Sequence, residues 1–309
     1  MTETSNDAAA SIGRVRLHVA DLTSMARFYC DVLGLRRAPD DDGRSARLSV
    51  DGRPPFLFEL EVVAGATRPP KGSTGLYHSA ILLPSRARLG RLLRHLARCG
   101  VALDGASDHL VSEALYLRDP EGNGLELYAD RPRETWPRRD DAIVMTSEPL
   151  DLDALAAAGG EDRWNGAPAG TRIGHIHLRV AALDRAEAFY NRIVGFDVTL
   201  RAYPGALFFS AGGYHHHIGA NVWGSAGGSR PPGTATGLGS FSILLPDGRE
   251  AAQVVRRAEA AGLAIEAKSA RGHAVLLRDW DGIGVEIVAE AAPADQADQP
   301  AAGPVPRRS

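Results

Sequence analysis

The feature that most constrains the fold is an internal repeat. IGRVRLHVADLTSMARFYCDVLGL (12–35) matches IGHIHLRVAALDRAEAFYNRIVGF (173–196) without a gap, at a constant offset of 161 residues. A second pair follows, GLYHSAILLP (75–84) with GLGSFSILLP (237–246) and LRDPEGNGLEL (117–127) with LRDWDGIGVEI (277–287), at offsets of 162 and 160. A chain that repeats itself stacks or pairs its units, so the fold is read unit by unit.

Each unit opens with period-two alternation (Val15, Leu17, Val19; Ile176, Leu178, Val180), which predicts a half-buried strand. An amphipathic helix such as SMARFYCDVLG follows, closed by a glycine suited to a helix C-cap. Short strands bounded by Gly, Asp and Pro turns complete the unit. The expectation is an α+β fold of four tandem βαβββ modules, at about 12–64, 75–130, 172–224 and 237–290, forming two cupped mixed sheets. By chain order the halves are 12–130 and 172–290. A linker, 131–171, joins them with one short helix predicted at 151–158. The ends, 1–11 and 291–309, are polar or Ala/Pro/Asp/Gln-rich and are expected to be disordered.

Composition narrows the function classes. Hydrophobic residues make up 44% of the chain and charged residues 24%, the balance of an ordinary globular protein. A net charge of −3 gives no reason to expect a nucleic-acid partner. No apolar run approaches the ~20 residues that cross a bilayer, so no membrane partner is expected. No basic region followed by an apolar core opens the chain, and the expected location is the cytoplasm. Cys30 and Cys99, too few for a disulfide framework, are expected to be buried thiols in helices.

Alternation also predicts which side chains line a cup. His175, His177 and Arg179 face away from the apolar side of their strand. Tyr116, Glu126 and Tyr128 do the same opposite leucines 115, 117, 125 and 127. In 215–222 the same rule sends His215, His217 and Asn221 inward and His216 outward. A carboxylate such as Glu126 inside an apolar strand is costly to bury without a partner, and a metal ion is one such partner.

The repeated modules, the DPEGN turn and the strand-borne glutamates resemble the vicinal oxygen chelate superfamily, which includes glyoxalase I, bleomycin-resistance proteins and extradiol dioxygenases. The resemblance spans nearly the whole chain apart from the tails and the linker. It implies a U-shaped sheet, built by two modules, that cups a metal. First strands supply Arg14, His78, His175 and Ser240 at the ligand positions, and last strands supply Glu126 and Glu286. Modules paired in chain order leave neither cup with two histidines and a carboxylate, although His18 could then serve as a ligand. Pairing the second module with the third gives one complete set, His78, His175 and Glu126. The other cup would hold Arg14, Ser240 and Glu286, with Glu286 a relic or paired with Arg14 or Arg16. The crossed pairing is preferred.

The stretch HLVSEALYLRDPEGNGLE (109–126) is similar to the extradiol dioxygenase signature at His109, Leu115, Tyr116, Asp119, Pro120, Gly122 and Glu126. Ser107 departs from it. The resemblance, which extends to two-domain catechol 2,3-dioxygenases, implies an enzyme that uses Fe(II), with Mn(II) as the alternative, and O2 as co-substrate. It would open a catechol-type aromatic diol to a muconic semialdehyde. Two histidines and one carboxylate form the facial triad of non-haem Fe(II) oxygenases. Tyr116 and His109 would hydrogen-bond substrate or oxygen, and His217 would act as acid/base. The alternatives are a glyoxalase-like metal-dependent lyase or isomerase, and a non-catalytic resistance protein that binds an aromatic drug. The partner expected is a small aromatic diol. A homo-oligomer is compatible with the sequence, which sets no oligomeric state.

Overall fold

The computed structural model describes residues 10–39, 43–140, 142–268 and 274–289, with the side chains of 267 and 268 left undescribed. Apart from residues 10 and 11, the ends expected to be disordered lie outside the described residues. Two large mixed sheets carry the architecture.

The first sheet has eight strands, in the order Ile265–Lys268, Ala274–Arg278, Gly284–Ala289, Gly237–Leu245, Ser11–Val19, Phe58–Val62, Ser45–Ser49 and Arg36–Arg37. The second has nine: Glu148–Pro149, Gly105–Asp108, Ser112–Arg118, Gly124–Asp130, Gly75–Leu82, Arg172–Arg179, Ile218–Asn221, Ala206–Ser210 and Asp197–Leu200. Modules one and four thus build one sheet and modules two and three the other, so the modules cross. At the centre of each sheet two first strands run antiparallel, and each has its module's last strand parallel on its far side.

The apolar face of both sheets packs under the helices in one continuous core that includes Val15, Leu17, Ile176, Leu178, Leu125 and Leu127. The helix Arg86–Arg98 starts at Ser85, whose hydroxyl accepts from the Arg88 amide. The linker helix Leu152–Ala158 crosses it at Gly90, where a Cβ would run into the Leu155 carbonyl. Close crossing at a glycine fixes the linker against the second sheet. The linker strand Glu148–Pro149 then pairs with Gly105–Asp108 and extends the sheet.

The two repeat helices carry the Phe-Tyr pair on wide π-helical turns, Phe28–Val32 and Ala188–Val194. Tyr29 donates to Asp119 at 3.2 Å and Tyr190 to Asp279 at 3.0 Å, so each tyrosine ties its own sheet to the other. Cys30 is half-buried and Cys99 exposed, which corrects the expectation of two buried thiols. Cys99 caps the C-terminal end of its helix, past Leu96, the last buried residue of the packed face. Among the described residues no helix is long and apolar enough to cross a membrane.

Candidate metal centre

The second sheet brings His78, His175 and Glu126 together, and their ligand atoms all lie within 4.8 Å of one another. His78 and His175 come from the two central strands, and Glu126 from the strand beside His78. All three are buried, with Glu126 only 3% exposed. Glu126 Oε2 lies 3.0 Å from His78 Nε2 and 3.2 Å from His175 Nε2. A backbone irregularity between Ile173 and His175 sets the latter's aim. Gly174, in that irregularity, has no room for a Cβ beside the Tyr128 hydroxyl.

The donor set fits a divalent metal. His78 Nε2 is near Glu126 but out of hydrogen-bond alignment, and it is left without a partner in a buried place. An orphaned nitrogen beside a buried carboxylate is costly unless a cation takes both lone pairs. Burial works to raise the Glu126 carboxyl, but the neighbouring imidazoles, His175 first, outweigh it and hold it well below the ordinary carboxylate range. Burial lowers His78, and it holds His177 and His216 well below the usual imidazole range, with the nearby histidines adding to the effect. Neutral imidazoles keep the lone pairs that a metal or a proton requires.

Tyr116 and His109 form a second pair at the site. Tyr116 is the cross-strand partner of Glu126. His109 Nδ1 lies 2.6 Å from the Thr146 carbonyl, and its Nε2 2.6 Å from the Tyr116 hydroxyl. A carbonyl only accepts, so Nδ1 carries the proton and Tyr116 donates to Nε2. Burial, with Glu126 close by, raises the Tyr116 phenol well above its ordinary value, which keeps it a donor. The loop that presents His109 bends at Leu110, whose φ of 67° is uncommon for a residue with a side chain. The Leu110 amide donates to Asp108 at 2.8 Å and holds that bend.

A cavity of about 430 Å³ opens over these groups. Tyr77, Tyr203, Phe208 and Trp223 form aromatic walls, and Met145, Thr146 and Ser147 of the linker close another side. His177 also lines it, with Nε2 buried and unpartnered, and Gly219 opposite leaves room for the imidazole.

The expected orientation of the histidine run needs correction. His216 lines the cavity and packs against His175, with ring centroids 4.1 Å apart and ring planes tilted by 50°. His217 is turned away: its Nδ1 lies 2.9 Å from the Ser210 hydroxyl and its ring sits near Phe196 and Tyr214. The strand begins only at Ile218, so the alternation read backward through 215–217 does not hold. No local pattern announced His216, Tyr203, Trp223 or the linker wall, since long-range packing brings them to the cavity.

The other sheet holds Arg14, Ser240 and Glu286 at the corresponding positions. Arg14 Nη2 lies 3.0 Å from Glu286 Oε2, and Ser240 donates to Glu286 Oε1 at 2.8 Å. The guanidinium supplies there the positive charge that a metal would bring, in keeping with the expected Arg14–Glu286 pairing.

The family model for the Glyoxalase/Bleomycin resistance protein/Dioxygenase superfamily matches residues 11–127 and 172–287. The chain is 45% identical over 258 residues to the catechol-2,3-dioxygenase of Bacillus subtilis (strain 168), across 82% of this chain and 90% of that protein. Among solved structures it resembles a protein of Bacillus subtilis subsp. subtilis str. 168, provisionally described as a dioxygenase. The TM-score is 0.62 at 18% identity, over 91% of this chain and 86% of that one. It also resembles glyoxalase I from Zea mays, with a TM-score of 0.55 at 17% identity, over 91% of this chain and 92% of that one. The two structural likenesses speak for the fold alone. The family model covers both halves of the repeat, and the chain belongs to the Glyoxalase/Bleomycin resistance protein/Dioxygenase superfamily.

Proposed function

We propose that the chain is an extradiol dioxygenase that opens a catechol-type aromatic diol to a muconic semialdehyde, with Fe(II) as cofactor and O2 as co-substrate. The observation that carries the reading is the buried meeting of His78, His175 and Glu126, two of which, His78 and Glu126, line an aromatic-walled cavity. The 45% identity to a catechol-2,3-dioxygenase supports it independently. His78, His175 and Glu126 would hold the metal. When bound there, Fe(II) supplies a template and a Lewis acid for the diol oxygens; Mn(II) suits similar donors.

The chain's own residues do the rest. His216, beside His175, takes the role first expected of His217: its neutral ring accepts a proton from the diol. Tyr116, whose proton is directed at His109 Nε2, keeps its phenol oxygen free to accept a hydrogen bond from the substrate. Tyr77, Phe208 and Trp223 give a planar ring apolar walls and exclude water, which strengthens polar contacts inside the cavity.

Anaerobic loading with Fe(II), followed by catechol and air, tests the reading with an oxygen electrode and visible absorbance. Oxygen uptake together with a yellow semialdehyde is expected, and a chelator should abolish both. Bound metal with no uptake across several catechols would contradict the reading and favour lyase or isomerase chemistry.

A further inference from the structure

Asp130 ends the strand that carries Glu126. Its Oδ1 lies 3.0 Å from His215 Nε2, and its Oδ2 accepts from the Tyr214 hydroxyl at 2.9 Å. His215 is fully buried, and its other nitrogen, Nδ1, lies 2.8 Å from His216 Nδ1. His216 in turn packs against His175 and lines the cavity. One run of contacts therefore leads from a carboxylate behind the site to an imidazole inside it.

The run fixes where the protons sit. A carboxylate oxygen only accepts, so the His215 nitrogen facing Asp130 must carry hydrogen. With a single N–H on the ring, and that one facing Asp130, His215 Nδ1 is left as a lone pair. Two lone pairs cannot share a contact of 2.8 Å, so the proton between the rings belongs to His216 Nδ1. The remaining nitrogen of His216, Nε2, then has a free lone pair on a ring that faces the cavity.

We propose that Asp130 and His215 are positioning residues that hold His216 in its Nδ1–H tautomer, so that Nε2 presents a lone pair to the bound diol. Only the last step rests on the dioxygenase reading. In it a diol O–H bond breaks, its electron pair stays on oxygen, and the proton bonds to His216 Nε2. The logic is that of a carboxylate that orients a catalytic histidine, with a second imidazole inserted between the two.

Protein labelled with ¹⁵N-histidine and loaded with Zn(II), a diamagnetic stand-in for the active ion, reports the tautomer by long-range ¹H–¹⁵N correlation. His216→Gln assigns the signal. The wild type should show His216 protonated at Nδ1. Asp130→Asn can turn an N–H toward His215, and should move the His216 proton to Nε2. With Fe(II), the same variant should lose about 100-fold or more in kcat, the scale of general-base catalysis, with a much smaller change in KM. Asp130→Glu should restore part of the rate.

A wild-type His216 protonated at Nε2 overturns the inference whatever the activity, and so does an Asp130→Asn variant that keeps Nδ1–H. The wild-type spectrum decides even if the variant fails to fold. An Nδ1–H tautomer in a protein that cleaves no catechol would support the positioning and count against the dioxygenase reading instead.

Discussion

His175 Nε2 lies 3.2 Å from Glu126 Oε2, although the two residues belong to different halves of the internal repeat. The contact exists because the second and third modules share a sheet, and it makes the carboxylate a focus for both imidazoles. Metal should therefore stabilise the fold. At about 100 times its Kd, Fe(II) or Mn(II) should add ~2.7 kcal/mol, read as a rise in Tm under anaerobic calorimetry. Glu126→Ala should bind metal more weakly than the roughly 10–100-fold loss typical of changes to outer-shell partners, and its Tm should no longer respond to the ion. An unchanged metal-dependent rise in that variant would remove Glu126 from the site.

The neighbouring histidines 216 and 217 should separate in function. His216→Gln should lower kcat by about 10²–10⁴-fold, the range for losing a general base, while metal content is retained. His217→Gln, whose native ring faces Ser210 rather than the cavity, should cost far less in kcat and appear mainly as a lower Tm. Steady-state kinetics on metal-loaded variants checks the split, and the reverse ranking would restore the orientation first read from alternation.

Tyr190 ties the second sheet to the first through Asp279. Tyr190→Phe removes the donor to a buried carboxylate oxygen, and should cost about 1–3 kcal/mol in urea denaturation. The distance from the cavity predicts little change in KM for a catechol. Stability unchanged within error would mean that the link contributes nothing.

Burial raises the Asp279 carboxyl from 3.8 to about 7. The folded protein therefore holds this proton more tightly than the unfolded chain does. The stability this adds is complete below the unfolded value and is lost as pH rises toward about 7. Asp279→Asn can keep accepting from the Asp281 and Ile283 amides, which the native Oδ1 serves. The variant should have a flatter dependence of Tm on pH between about 4 and 7, and a higher Tm than wild type at pH 8. A parallel pair of curves would refute the shift.

Much of the site was legible where strands are regular. The alternation around His175 and His177, and around Tyr116 and Glu126, puts polar and apolar side chains on the faces the structure shows. The crossing of modules was legible less directly, through the demand that one cup hold a complete ligand set. Alternation failed at 214–217 because no strand runs there, and a single step of parity exchanges His216 for His217. The linker wall of Met145, Thr146 and Ser147 carries no local signal at all. Its place is set by the helix crossing at Gly90 and by the added strand at Glu148, contacts between residues distant in the chain.

The most direct test counts atoms in one sample: Fe(II) bound per chain after anaerobic loading, then O2 consumed per catechol opened. The account predicts one iron per chain, held by wild type and lost in His78→Ala, and one O2 consumed for each semialdehyde formed. Ring opening at full rate by iron-free protein, or iron held equally well without His78, would contradict it.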